Sequence, residues 1–214
     1  GQNLGSSGNE TDPARVAGLL SLSAGSNNFN SDQLILRESL FEEDSASMTW
    51  QTDNNELLLR SDWRYCRKTG IWLRSDTLTN ESNEDVVIRR CLARFSLSPG
   101  SYELYSQGSR WCGENQGSWQ ALERGGVVLR SEGGRTTQGG TPFVCIRDSD
   151  SKEALIFHII PKGNWIIKVT AGTAEGDSPS FAVVELGMAD THLFYSLAPG
   201  RSIELPQILI QKAP

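Results

Sequence analysis

Hydrophobic and polar residues alternate along most of this chain with a period of two. Residues 48–52, MTWQT, follow the alternation strictly, and this period is typical of an antiparallel strand with one buried and one solvated face. Pro-Gly turns at residues 98–100 and 198–200 separate such runs. No window combines the three- and four-residue spacing of an amphipathic helix with capping residues. The pattern therefore predicts an all-β protein.

Strand-like runs recur about every 8–12 residues, which favours a sandwich or a barrel. The chain has 214 residues, roughly twice the length of a simple seven-strand sandwich of about 100 residues, and it contains no internal repeat. We therefore predict one large two-sheet antiparallel β-sandwich over residues 31–214. Residues 1–30 are rich in Gly, Ser and Asn and are predicted to be a poorly ordered lead-in or a first strand.

One local connection is also predicted. Residues 154–160 and 165–169 are two apolar runs joined by residues 161–164, PKGN. A glycine in such a short connection accepts a left-handed backbone conformation, so these runs are expected to pair as a β-hairpin.

Composition excludes several functions. The formal net charge is -6 and the pI is near 5.0, whereas a nucleic-acid binder needs a basic face. No apolar run is long enough to span a membrane. The four cysteines have no C-x-x-C pair and are interpreted as buried hydrophobes in preference to disulfides. The composition is that of a soluble protein, and it leaves the cytoplasm and the periplasm or exterior equally open.

The candidate binding site lies in residues 110–143, a polar and Gly-rich stretch that also holds large aromatic residues. Trp111 and Trp119 flank Glu114 and Asn115, and Arg135 follows between two glycine pairs. Aromatic rings beside amides and a carboxylate suit a sugar, whose C–H face packs on a ring while its hydroxyls bind polar groups. The alternative is that one or both tryptophans belong to the core.

Catalytic and metal-binding motifs give no support for chemistry in this chain. The sequence has no G-x-S-x-G elbow, phosphate loop or H-E-x-x-H motif. Its carboxylate clusters, at residues 42–44 and 148–150, lie in polar turns where solvated charge is the expected state. With two histidines and no ligand spacing, we predict no metal, no cofactor and no catalytic residue.

Four weak motifs in a fixed order resemble a known family. They are an R-W…E element at residues 110–114, the serine strand and P-F ending at residues 129–143, the turn at residues 157–165, and the exit strand at residues 205–210. Together they resemble the N-terminal β-supersandwich domain of melibiase-type α-galactosidases, glycoside hydrolase family thirty-six, over residues 33–212. Thr137-Gln138 and Lys162 depart from the Ser-His and Ser that are usual there.

The resemblance implies a non-catalytic domain of an α-galactosidase-like enzyme. In that family a nucleophile and an acid about 5–5.5 Å apart perform retaining hydrolysis, and both lie in a (β/α)8 barrel that follows the sandwich. The sequence reaches Pro214 about where that barrel would begin, so this chain alone is not expected to be an enzyme. The implied partners are the barrel, an α-galactoside or related carbohydrate, and further copies in a homo-oligomer.

Two alternatives remain from the sequence. The chain could be a free-standing carbohydrate-binding, lectin-like module that uses Trp111 and Trp119. It could also be a compact β-sandwich hydrolase with its own carboxylates, in which case Glu114 is the residue to test.

Overall fold

A computed structural model describes residues 20–25, 27–29, 33–110, 112–122, 125–134, 137–173 and 180–213. Within these residues the regular secondary structure is β-strand, without an α-helix. The segments with period-two alternation are therefore β-strands, and the all-β prediction is confirmed. The eighteen strands are β1 (Leu20–Ala24), β2 (Asn27–Phe29), β3 (Leu34–Phe41), β4 (Ser45–Thr52), β5 (Leu57–Cys66), β6 (Ile71–Asn80), β7 (Val86–Ser96), β8 (Tyr102–Arg110), β9 (Gly113–Ala121), β10 (Gly125–Ser131), β11 (Gly139–Gly140), β12 (Phe143–Asp148), β13 (Ala154–Ile160), β14 (Trp165–Thr173), β15 (Ser180–Met188), β16 (Tyr195–Leu197), β17 (Ser202–Glu204) and β18 (Gln207–Ala213).

The strands form two antiparallel sheets of unequal size. The smaller sheet has seven strands in the order β10-β14-β15-β7-β1-β2, with β16 beside β7. The larger sheet has 11 strands in the order β11-β8-β12-β13-β18-β6-β5-β4-β3, with β17 beside β6 and β9 beside β8. The predicted two-sheet sandwich is thus confirmed, and β1, which lies in the predicted lead-in, pairs with β7.

The core lies between the two sheets and has two adjoining clusters. One cluster takes its buried side chains from β7, β8, β12, β13, β14, β15 and β18. Trp165 and Phe157 are its largest fully buried side chains. The other joins β1, β5 and β6 around Leu22, Leu59 and Leu78. Because side chains alternate along each strand, the opposite faces of these strands point outward. The outer face of the larger sheet and the part of its inner face beyond the core carry exposed aromatic side chains, among them Trp119, Trp72 and Phe41.

The predicted hairpin at residues 154–169 is wrong. β13 pairs with β12 and β18 in the larger sheet, whereas β14 pairs with β10 and β15 in the smaller one. Residues 161–164 therefore carry the chain from one sheet to the other. The glycine is used as expected, since Gly163 has φ 133, but a turn of this composition fits a sheet-to-sheet crossing as well as a hairpin.

The burial of the cysteines agrees only partly with the prediction from the sequence. All four are free thiols; Cys91 is buried and Cys145 is half-buried, but Cys66 and Cys112 are exposed. Burial raises the pKa of Cys91 and, to a lesser extent, of Cys145. The prediction of buried hydrophobes is therefore wrong for Cys66, at the end of β5, and for Cys112, in the turn before β9.

Candidate functional site

Aromatic rings form a continuous patch on the outer face of the larger sheet. Trp119 on β9 lies opposite Tyr105 on β8, with ring centroids 5.4 Å apart. The ring centroid of Tyr105 is 6.2 Å from that of Phe143, and the ring centroid of Phe143 is 6.2 Å from that of His158. Leu104 points the other way, into the core. We call Trp119, Tyr105 and Phe143, with the two charged residues described next, the aromatic patch.

A charged pair frames the exposed ring of this patch. The guanidinium carbon of Arg147 lies 4.2 Å from the centre of the Trp119 ring, within the range of a cation–π contact. The same guanidinium donates two hydrogen bonds to one oxygen of Glu103, from Nε at 3.0 Å and from Nη2 at 2.8 Å. Trp119 remains 42% exposed. The patch thus combines an accessible ring with polar groups held in fixed positions.

Gly117 allows the Tyr105 ring to pack directly on the backbone of β9. A Cβ atom added at Gly117 would overlap the hydroxyl end of Tyr105, so the absence of a side chain is what allows Tyr105 to cover β9 at this point. The Tyr105 hydroxyl also accepts a hydrogen bond of 3.0 Å from Gln107 Nε2. Packing on one side and hydrogen bonding on the other hold the ring in place.

The structure separates the predicted sugar-binding residues. Glu114 and Asn115 are exposed near the start of β9, where the register of β8 and β9 shifts and Asn115 has φ 57. At 3.3 Å per residue, Asn115 lies about 13 Å and Glu114 about 17 Å along the strand from Trp119. Trp111 and Arg135 lie outside the described residues. The five-residue set stays a prediction, and the contacts of Trp119 are with Tyr105 and Arg147.

Three residues of the aromatic patch were not predicted from the sequence: Tyr105, Arg147 and Glu103. Alternation along β8 puts Glu103 and Tyr105 on one face, but β12, which carries Arg147, is aligned with β8 only by tertiary pairing. Nothing local in the sequence indicates that Arg147 reaches Trp119.

A second candidate surface is an apolar groove of about 340 Å³ on the inner face of the larger sheet, near β3. Its residues come from five strands that continue the core-facing side: Phe41, Ala46, Met48, Trp63, Trp72 and Ile210. Trp63 and Trp72 make an edge contact with centroids 6.5 Å apart. Trp72 and Phe41 are exposed. We call these six residues the apolar groove.

A buried ion pair supports the floor of the groove. Arg74 Nε lies 2.9 Å from both carboxylate oxygens of Asp76, and Nη2 lies 2.7 Å from Oδ2. Ser61 Oγ donates a further hydrogen bond of 2.6 Å to Asp76. The Arg74 guanidinium carbon is 5.4 Å from the Trp63 ring centre and 5.3 Å from that of Phe95. The cation is therefore held between two aromatic rings and one carboxylate.

The carboxyl groups with shifted pKa values do not resemble a catalytic acid. The backbone N–H of Ser151 lowers the pKa of Asp148, and the ammonium group of Lys162 lowers the pKa of Glu204. Burial acts in the opposite direction on two further carboxyls, but hydrogen bonds and ion pairs outweigh it and lower their pKa as well: Asp62 and Asp190. A glycosidase acid needs a raised pKa in order to remain protonated.

The part of the chain that the structure describes has neither a metal-binding cluster nor a membrane-spanning helix. Among the described residues, no group of three or more His, Cys, Asp or Glu side chains could hold a metal ion. No helix in that part is long and apolar enough to cross a membrane. The half-buried His158 has a pKa lowered by burial and packs beside Phe143, its partner across the neighbouring strand β12.

Comparison with solved structures finds the same fold in α-galactosidases. The galactosidase domain of the α-galactosidase–sucrose kinase AgaSK superimposes with a TM-score of 0.79 and 12% identity, covering 90% of this chain and 30% of that one. The α-galactosidase AgaA from Geobacillus stearothermophilus gives a TM-score of 0.76 and 15% identity, with 92% and 30% covered. A putative aldose 1-epimerase from Escherichia coli K12 gives 0.53 and 12%, with 84% and 68% covered.

Sequence comparison assigns the family. Comparison with curated proteins finds no match. The profile of the glycosyl hydrolase family 36 N-terminal domain matches residues 35–177, about two thirds of the chain. The chain spans about 30% of the length of the α-galactosidases it superimposes on. The chain therefore belongs to the glycosyl hydrolase family 36 N-terminal domain family, as the order of its motifs suggests.

Proposed function

We propose that this chain is the non-catalytic N-terminal sandwich of an α-galactosidase-like glycoside hydrolase and that it supports a catalytic (β/α)8 barrel. The observation that carries the proposal is how much of each chain is superimposed. The match to the AgaSK galactosidase domain includes 90% of this chain but only 30% of that one.

The apolar groove is the surface that best fits the barrel. Its lining is almost entirely apolar, and Trp72 and Phe41 are exposed there. Exposed apolar surface of this kind is typical of protein–protein interfaces, in which buried aromatic residues supply most of the binding free energy. The buried Arg74–Asp76 pair beneath it fixes the position of Trp63, so the groove is preformed for a rigid partner.

The aromatic patch is the surface that best fits a carbohydrate. Trp119 offers an exposed ring, and the fixed Arg147–Glu103 pair offers donors and acceptors beside it. A pyranose of an α-galactoside or a related sugar needs both features at once. We include this contact in the proposed function, together with a contribution of the chain to homo-oligomer contacts.

The test compares the full-length gene product with the 214-residue chain on an aryl α-galactoside. We expect turnover by the full-length product and background hydrolysis by the chain alone. Turnover by the chain alone that is lost on Glu114→Gln would instead support the compact hydrolase. A gene that encodes no catalytic domain beside this one would contradict the proposal and favour the free-standing carbohydrate-binding module.

A further inference from the structure

Strand β3 is an edge strand of the larger sheet, and its exposed side chains are unusually apolar. It pairs with β4 on one side, and within the described residues no strand lies on its other side. Such an edge presents backbone N–H and C=O groups that can pair with another strand, and most proteins protect it with charges, proline or short length. β3 has eight residues, and four of them are exposed large hydrophobics: Ile35, Leu36, Leu40 and Phe41.

The sequence of β3, LILRESLF, is complementary to itself when two copies run antiparallel. If a two-fold axis passes between residues 37 and 38, each apolar end faces the apolar end of the other copy. Arg37 then faces Glu38 of the second copy, and Glu38 faces Arg37 of the second copy. Opposite charges placed directly across a strand pair are stabilising and like charges are destabilising.

A bulge makes this register possible on both faces of the sheet. Leu36 pairs with Trp50 and Glu38 with Thr49, so Arg37 is an extra residue in β3. The extra residue reverses the alternation. It puts Leu34 and Phe41 on the inner face, and Ile35 and Leu40 on the outer face, as the pairings of β3 with β4 and of β4 with β5 require.

The proposed register pairs residues that share a face. Leu34 faces Phe41 of the second copy on the inner side, and Ile35 faces Leu40 of the second copy on the outer side. Without the bulge, each of these pairs would point to opposite faces. Each copy supplies the same extra residue, so the two strands stay aligned on both sides of the axis.

The charged centre is also prepared for pairing. Arg37 Nε donates to Gln51 Oε1 at 2.8 Å, and Nη2 donates to Asn55 Oδ1 at 3.0 Å. These bonds hold the guanidinium on the outer side, the side on which Glu38 opposes Thr49. In the two-fold register, this fixed guanidinium of Arg37 lies next to the Glu38 carboxylate of the second copy.

We propose that two copies of this chain pair through β3, antiparallel about a two-fold axis between residues 37 and 38, and join their larger sheets into one continuous sheet. This deepens the oligomer contact in the proposed function by naming its surface. The assay below requires no catalytic activity, so its failure is distinguishable from failure of the glycosidase assignment.

The test is sedimentation equilibrium of the chain from low to high micromolar concentration. We expect a dimer whose dissociation constant rises at least about tenfold for Leu40→Asp, which places two charges in the contact, and for Glu38→Arg, which sets two arginines against each other. The double variant Arg37→Glu/Glu38→Arg should restore dimerisation. Val128→Asp, an exposed apolar position on β10, is the matched control and should leave the constant unchanged.

Hydrogen exchange supplies a second readout that does not depend on variants. Amides of residues 34–41 should exchange more slowly as the chain concentration rises. A chain that stays monomeric at the highest concentration overturns the proposal. So does a dimer that is insensitive to both Leu40→Asp and Glu38→Arg, or a charge swap that fails to rescue a correctly folded protein.

Discussion

The two ends of the larger sheet both expose aromatic rings, but the surroundings of these rings differ. At the β9 end, Trp119 lies beside the fixed Arg147–Glu103 ion pair. At the β3 end, Trp72 lies in a groove whose lining is almost entirely apolar. A ring with polar partners suits a hydroxylated ligand, whereas a ring among apolar side chains suits a protein surface. One sheet can therefore serve two kinds of partner.

The same contrast recurs between two identical tripeptides, Arg-Ser-Asp, on neighbouring strands. Arg60 and Asp62 form an ion pair on the outer face, with side chains 60% and 38% exposed. Arg74 and Asp76 form one on the inner face, with side chains 1% and 3% exposed. Strand alternation alone decides which triplet is solvated. At the β3 end, the ion pair that contacts a ring of the groove is therefore buried beneath it.

The largest expected effect is on the buried triplet. Arg74→Ala leaves the Asp76 carboxylate buried without its cation, which should lower the free energy of unfolding by about 3–5 kcal/mol. Arg60→Ala removes the matched exposed cation and should cost less than about 1 kcal/mol. Urea unfolding of both variants checks this. Equal effects would contradict the assignment of the two triplets to opposite faces.

The second effect is on the groove. Trp72→Asp should weaken docking of the catalytic domain by about 2 kcal/mol or more, the range of an aromatic hot spot. In the full-length gene product we expect separate unfolding transitions for the two domains, measured by calorimetry, and a loss of galactosidase activity on heating at lower temperature. Trp119→Asp, at the other end of the sheet, is the control. If both variants change the unfolding profile alike, the two surfaces do not have different partners.

The third effect is on the aromatic patch. Trp119→Ala should weaken carbohydrate binding by the chain roughly tenfold, which corresponds to about 1.4 kcal/mol, because the sugar loses its stacking surface. Titration with galactosides, followed by tryptophan fluorescence and calorimetry, measures the change. Trp72→Ala should leave the affinity as it is. A wild-type chain without any response at millimolar sugar would remove carbohydrate binding from the proposed function.

The smallest effect concerns Asp190, which follows β15 of the smaller sheet. Burial opposes ionisation of Asp190, but bonds from Lys168 Nζ at 2.6 Å and Arg90 Nε at 3.0 Å outweigh it and lower its pKa. The folded pKa lies below the unfolded value of about 3.9. The ion pairs therefore stabilise the fold above that value, and the contribution is lost as the pH falls through the folded pKa.

The measurement for Asp190 is the difference in free energy of unfolding between the wild type and Asp190→Asn as a function of pH. We expect about 1 kcal/mol or less near neutral pH and a decline below about pH 4. Added salt should reduce the neutral-pH difference by screening. A difference that grows as the pH falls would mean that the pKa is raised and would contradict the geometry.

Much of the fold can be predicted from the sequence, because period-two alternation and turn residues are local signals. The all-β class and the two sheets follow from them, whereas the family follows from the order of four motifs that resemble it. The connection at residues 161–164 does not, since a crossing between sheets and a hairpin use the same turn residues. Trp119 was found because a Trp in a polar stretch is conspicuous, but Arg147 becomes its neighbour only through the pairing of β8 with β12. Register is a tertiary property, so the partners of a candidate residue are the least predictable part of a β-site.

Oxidative footprinting by hydroxyl radicals tests the central contrast between the two ends most directly. Met48 and Trp72 in the groove and Trp119 in the aromatic patch are reactive probes, and their oxidation can be measured by mass spectrometry in the 214-residue chain and in the full-length gene product. We predict that Met48 and Trp72 are oxidised in the chain alone and protected in the full-length product, while Trp119 is oxidised in both. Equal oxidation of Met48 and Trp72 in the two proteins would contradict the account.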